Sequence, residues 1–312
     1  MKRFAAIDVG TNTVLLLVAD MGDGGKLLPL QDLETTTRLG RGLAATRRLH
    51  PESLSKTMEA IDAYLAVCDK LGVDEIRIVG TSALREAQNG DDLVNAVERR
   101  FGLILRPISG EEEARFSYLA AEREMGPGRP LLVVDIGGGS VEIIVGQEGN
   151  LSDLHSLNVG AVGLTETFLR SDPVREEEFG AMMDHIIRNL APVALPRPTK
   201  VVGLGGTITA LSAVQRGDNP LNPSEIHGTL LSRQEVYRQV LLYRGTTVEK
   251  RCRIAGLPSE RADVILAGAA ILWQTLNILD LREVVVSCHG LRYGLLYAAI
   301  LDRSIEKTGK SC

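Results

Sequence analysis

At 312 residues the chain is long enough for two domains, and an apolar fraction of 44% is that of a globular protein rather than a disordered one. A formal charge of −5 gives no global field for nucleic acid, aromatics at 4% leave little for base stacking, and no run of eighteen apolar residues offers a membrane span. The start, MKRFAAIDVG, has too short an apolar stretch, broken by Asp8, for a signal peptide; Cys68, Cys252, Cys288 and Cys312 lack the spacing of a zinc site or disulfide framework. These features predict a cytoplasmic protein with reduced thiols.

The first elements form a hairpin, AIDVGTNTVLLLVA, in which two apolar runs flank an Asp-x-Gly turn carrying hydroxyls. A third strand follows over residues 26 to 34, then a helix opening near Pro51 with Leu54, Met58, Ile61 and Leu65 on one face. The strand EIRIVG, a helix over Asp91 to Arg100, the strand LILRPIS and a helix from about Gly110 complete the first half. Glycine and proline in GPGRP, residues 126 to 130, predict a linker, with domains over 1–125 and 126–312 and the last helix free to pack back on the first. Beyond it a second hairpin, LLVVDIGGGSVEIIVG, precedes a helix from about Leu164, a longer helix to about Leu190, the strand KVVGLGG and further helices. The two hairpins are an internal repeat: Asp8 aligns with Asp135, Gly10 with Gly137, Thr13 with Ser140 and Val14 with Val141. The fold class is therefore α/β, with two related domains.

Three consecutive glycines, Gly137, Gly138 and Gly139, exceed what a hairpin turn needs. Either they only supply turn conformations, or they bare amide N–H groups as a nest for an anion, with Asp135 holding a cation beside it. Glu142 replaces the Leu15 of the first copy; it is either a solvent-facing residue of an edge strand or a magnesium ligand. A third glycine-rich turn, Gly205-Gly206-Thr207, opens a helix; either it merely needs glycine to pass from strand to helix, or the free N–H groups of the helix start bind an anion. Arg85 in GTSALREA, and Arg38 and Arg41 in TRLGRGL, offer guanidinium forks to phosphate oxygens or are simply solvated. In ISGEEEAR, Ser109 and Glu112 fit a capping box and Glu111 suits a first helical turn; Glu113 is left without such a role and is either one more acid complementing the helix dipole or a catalytic carboxylate. The closing SIEKTGKSC imitates a P-loop, but Ser304 stands where its first glycine belongs, and the segment is expected to be a disordered tail.

Six motifs, AIDVGTNTVLLLVA, GTSALREA, ISGEEEAR, VVDIGGGSVEIIVG, GLGGTITAL and SCHGLRYGLLY, occur in the order of the exopolyphosphatase / guanosine pentaphosphate phosphohydrolase family, which the chain resembles from about residue 3 to residue 300. The resemblance implies two ribonuclease-H-like domains of the actin-like ATPase superfamily flanking a cleft. It implies Glu113 and Arg85 as catalytic residues, and phosphate-binding turns at Gly10, Thr11, Asn12 and Thr13, at Gly137, Gly138, Gly139 and Ser140, and at Gly205, Gly206 and Thr207; Arg38, from the reading of TRLGRGL above, is expected to join them in binding phosphate. Asp135 and Glu142 match its metal-side carboxylates, Asp8 joins them through the repeat, and the implied ion is Mg2+, with Mn2+ as a substitute. Thr11 and Thr13 stand where the family usually has serines, and the helical extension of long members is missing, which puts processive degradation of very long chains in doubt.

The expected activity is removal of the terminal phosphate of polyphosphate. The alternatives are a pppGpp 5′-phosphohydrolase on the same chemistry and a nucleotide-binding regulatory protein without turnover. The expected partners are the substrate and a second copy of the chain as a homodimer, with neither nucleic acid nor membrane.

Overall fold

The computed structural model describes residues 2–126, 130–191, 193, 200–217 and 223–308. The expected linker at 126–130 lies largely outside them. Two compact units emerge: residues up to Glu124 together with the segment from His289 onward, and Met125–Cys288.

The first unit begins with strands β1 (Arg3–Val9), β2 (Thr13–Met21) and β3 (Leu27–Thr36). Then come helices α1 (Leu43–Thr46) and α2 (Pro51–Leu71), strand β4 (Glu75–Gly80), helices α3 (Ser82–Glu86) and α4 (Gly90–Phe101), strand β5 (Arg106–Pro107) and helix α5 (Gly110–Met125). The sheet order is β3-β2-β1-β4-β5, with β1, β2 and β3 antiparallel and β4 and β5 parallel to β1, the order of a ribonuclease-H-like unit. Central strands here are apolar on both faces because both are covered. Ala5, Ile7 and Val9 join a core with Ile61 and Tyr64 of α2 and Leu93 and Val97 of α4, whereas Phe4 and Ala6 join one with Ile108 and Ala120. Helix α2 starts with Pro51 at its first turn, takes a cap from the His50 side chain and stops at Gly72 in the left-handed region. The strand expected over 103–109 shrinks to Arg106–Pro107, an edge strand that pairs only with Val79 and Gly80 at the end of β4.

The second unit contains β6 (Leu131–Ile136), β7 (Val141–Gln147), β8 (Asn150–Leu157), α6 (Ala161–Phe168), α7 (Glu176–Leu190), β9 (Lys200–Leu204) and α8 (Gly206–Arg216). It continues through α9 (Pro223–Ile226), β10 (Leu230–Ser232), α10 (Arg233–Arg244), α11 (Val248–Arg251), α12 (Ile265–Ile278) and β11 (Glu283–Val286). Its sheet runs β10-β11-β9-β6-β7-β8, so the antiparallel triplet and its parallel neighbour recur. Strand β8, unforeseen in the sequence, is the counterpart of β3. Leu132, Val134, Ile136, Val141 and Ile143 pack into a core with residues of α7, α8, α10 and α12.

The chain then returns to the first unit with α13 (Leu291–Thr308), which packs on β1, β2 and β3; Leu291, Leu295 and Leu296 fill the core face of Phe4 and Ala6. Ser304–Thr308 therefore close a helix rather than a disordered tail, while the rest of that segment lies outside the described residues. Among the described residues no helix is long and apolar enough to cross a membrane.

Candidate active site

Both hairpins make the same turn. Gly10 N donates to Thr13 O at 2.9 Å in the first, and Gly137 N to Ser140 O at 2.9 Å in the second. The repeat also holds in the ladder: Asp8 lies opposite Leu15, and Asp135 opposite Glu142.

In the first unit the turn is held by a second pass of chain. Thr37 N and Arg38 N donate to Asn12 O at 3.1 and 2.9 Å, and Gly40 N to Thr11 O at 2.8 Å, so the arginine predicted at 38 sits on the turn predicted at 10–13. Arg38 adopts a φ of 53°, uncommon for a residue with a side chain and seen where surroundings impose it. Arg41 is exposed. Asn12 Nδ2 and Thr37 Oγ1 are buried without a hydrogen-bond partner among the described residues, an arrangement that costs stability unless something else satisfies them.

Strands β1, β4 and β5 run parallel, so their carboxyl ends bring together the turn after Val9, the start of α3 after Gly80 and the approach to α5. Ligand sites of open α/β sheets form at such ends. Thr81 N bonds Val9 O at 3.2 Å and Ile108 N bonds Gly80 O at 3.0 Å, tying the three together. Arg85, in the last turn of the short α3, points its Nη1 to Glu113 Oε2 at 2.7 Å and to Ile108 O at 2.9 Å. The pair is partly shielded, Arg85 being 23% and Glu113 13% exposed.

The neighbours of Glu113 behave as the capping analysis expects. Ser109 N donates to Glu112 Oε2 at 3.0 Å and Glu112 N to Ser109 Oγ at 3.1 Å, a reciprocal capping box. Arg106 also binds Glu112, and these bonds hold its carboxyl below the usual glutamate range, the arginine contributing most. Glu111 points to solvent. The side chain left for chemistry is thus the one that meets Arg85.

In the second unit β7 is flanked by β6 and β8, so Glu142 is not on an edge strand; it is 1% exposed and accepts from Ser156 Oγ at 2.9 Å. Gly160 brings α6 against the glycine turn: Ala161 N and Val162 N donate to Gly137 O and Gly138 O at 3.2 and 2.9 Å, and a Cβ at 160 would overlap the backbone of Gly138 and Gly139. The third turn follows β9, which is parallel to β6 with Leu204 opposite Asp135. Gly205 has a φ of 93°, and a Cβ there would lie 2.5 Å from Ile136 O and 3.0 Å from Asp135 Oδ1, so only glycine lets the turn approach this carboxylate. Thr207 is buried at the start of α8, and the Arg261 guanidinium packs over Gly206.

Three residues at these turns escape the sequence. Arg261 reaches Gly206 from a distant segment and Ser156 reaches Glu142 from the neighbouring strand, neither with a local signal, while Thr37 adjoins the predicted Arg38 but looks like an ordinary strand-end threonine.

Residues 17–303 match the Ppx/GppA phosphatase family. Exopolyphosphatase 2 of Mycobacterium tuberculosis is 33% identical over 312 residues, covering 95% of this chain and 98% of that protein. The guanosine-5′-triphosphate,3′-diphosphate pyrophosphatase of Aliivibrio fischeri is 30% identical over 317 residues, 99% of this chain but 62% of that protein. The crystal structure of the Aquifex aeolicus Ppx/GppA family member superimposes with a TM-score of 0.83 at 34% identity, covering 97% of this chain and 98% of that one. With its duplicated ribonuclease-H-like units and three glycine turns, the chain belongs to the Ppx/GppA phosphatase family.

Proposed function

We propose that the protein is an exopolyphosphatase that hydrolyses the terminal phosphate of inorganic polyphosphate. The observation that carries this reading is the Arg85–Glu113 pair at the carboxyl ends of β1, β4 and β5, beside a turn whose Asn12 Nδ2 and Thr37 Oγ1 are buried with no hydrogen-bond partner among the described residues. Glu113 orients the attacking water and takes up its proton, while Arg85 holds the carboxylate in place and offers guanidinium charge to the transferred group. Phosphoryl transfer asks for placement and charge stabilisation more than covalent chemistry, which glycine-rich turns and an arginine supply.

Asp135 and Glu142 fit a magnesium ion. Two carboxylates directly opposite one another in adjacent strands repel, and a hard cation that prefers oxygen ligands relieves that repulsion. The ion, when bound, neutralises phosphate charge. The cysteines, scattered along the sequence without the spacing of a disulfide framework, suit a cytoplasmic enzyme.

A second reading, hydrolysis of the 5′-terminal phosphate of pppGpp, is favoured by the similarity to the pyrophosphatase of A. fischeri. Polyphosphate is preferred because this chain matches the exopolyphosphatase of M. tuberculosis over 98% of its length. The deciding experiment is phosphate release with Mg2+ from short polyphosphate, long polyphosphate and pppGpp, with Glu113→Gln as the blank. Preference for polyphosphate supports the proposal, activity on pppGpp alone moves the enzyme to the second reading, and no release from any substrate overturns both.

A further inference from the structure

The two copies of the three-stranded unit differ most along one rung of the ladder. In the first, Asp8 of β1 lies opposite Leu15 of β2, which lies opposite Glu34 of β3. In the second the same rung reads Asp135, Glu142 and Ser156 on β6, β7 and β8. Residues directly opposite in adjacent strands project from the same face of the pleat. The second rung is therefore a row of three polar side chains where the first has leucine at its centre.

Ser156 Oγ donates to Glu142 Oε1 at 2.9 Å, and Glu142 is almost fully buried. A hydrogen bond to one oxygen of a buried carboxylate selects its rotation and fixes which oxygen faces the neighbouring strand. Removing a group that holds a metal-binding side chain in this way typically costs about 10- to 100-fold in metal affinity. Leu15 presents no carboxylate for a hydroxyl to orient, and Glu34 is exposed. The serine thus accompanies the glutamate in the one copy that has it.

We propose that Ser156 is a positioning residue for divalent-metal binding, holding the Glu142 carboxylate so that its second oxygen and Asp135 form one ligand pair. The inference rests on the reading that Asp135 and Glu142 bind the metal, and its test separates the two.

Mn2+ binding to the full chain is measured by electron paramagnetic resonance with inorganic phosphate present, so that the readout is occupancy rather than turnover. Ser156→Thr keeps the hydroxyl and Ser156→Val removes it at nearly equal volume, both β-branched and suited to a strand. Thermal unfolding of the pair shows whether both are folded; should Ser156→Val fail to fold, Ser156→Ala takes its place. The expected result is near-normal affinity for Ser156→Thr, a loss of about 10-fold or more for Ser156→Val, and a larger loss for Glu142→Gln. Equal binding by the Thr and hydroxyl-free variants, with Glu142→Gln weakened, overturns the role of Ser156 and leaves the metal assignment standing. Wild-type protein that does not bind Mn2+, or Glu142→Gln that binds like wild type, overturns the metal assignment and the proposal with it.

Discussion

Arg85 and Glu113 meet at 2.7 Å although they lie on different helices, and the nitrogen that bonds the carboxylate also bonds Ile108 O, just ahead of α5. The guanidinium is thus fixed to the backbone and, through it, fixes the glutamate. Glu113→Gln keeps the size of the side chain and an acceptor for Arg85 but removes the base. It is expected to leave the thermal midpoint close to wild type and to lower phosphate release by about 10²- to 10⁴-fold. Turnover near the wild-type rate would remove Glu113 from the mechanism.

Arg85 is expected to tolerate lysine poorly. A lysine ammonium carries the charge but not the planar guanidinium, whose Nη1 bonds both the carboxylate and the carbonyl and so leaves its other N–H groups to offer to phosphate. Arg85→Ala should raise KM and lower kcat, and Arg85→Lys should recover only part of either. Steady-state kinetics on polyphosphate decide this, and an Arg85→Lys enzyme equal to wild type would reduce the arginine to a simple charge.

The duplicated hairpins were legible because their signal is local. The pattern strand, Asp-x-Gly turn, strand carries its register with it, and the structure places Asp8 opposite Leu15 and Asp135 opposite Glu142 as the alignment requires. The capping box was legible for the same reason, since Ser109 and Glu112 are three residues apart and complete each other. Strand β8 was not, because NLSDLHSL is polar and half exposed, and its pairing with β7 shifts register between Val145 and Gly146. Glu142 was ambiguous for want of β8: without that strand β7 would be an edge, and with it the glutamate is buried. Arg261 over Gly206 is a tertiary contact across 55 residues of chain, which no periodicity encodes.

The capping box makes α5 sensitive to acid. Glu112 has its folded pKa held below the ordinary glutamate value, through Arg106 first and the Ser109 N–H next. A carboxyl depressed on folding contributes stability above its unfolded pKa and loses it as pH falls through the folded value. Wild-type protein should therefore destabilise more steeply than Glu112→Gln on acidification from the ordinary glutamate range downward, the two curves converging at the acid end. Urea denaturation across that range tests this, and parallel curves would show that the cap is not linked to protonation.

Gly160 is expected to be the least replaceable residue of the second turn. Its extended backbone suits alanine, so the obstacle is space: a Cβ would overlap Gly138 O and the Gly139 carbonyl carbon, and backbone atoms cannot rotate aside as a side chain would. Either α6 retreats, stretching the bonds from Ala161 N and Val162 N, or the turn is pushed out of the shape it shares with the first hairpin. Gly160→Ala should cost about 1–3 kcal/mol in stability, as over-packing typically does, and raise KM for polyphosphate by displacing the amides of Gly138 and Gly139. Gly163→Ala is the control, since nothing lies within 4 Å of a Cβ there. Inside α6 it should be stabilising by about 0.5–1 kcal/mol, through the lower chain entropy of alanine. Urea denaturation and KM measured on the two variants separate the effects: equal stability would show that α6 yields at no cost, and a destabilised Gly160→Ala with unchanged KM would take the turn out of substrate binding.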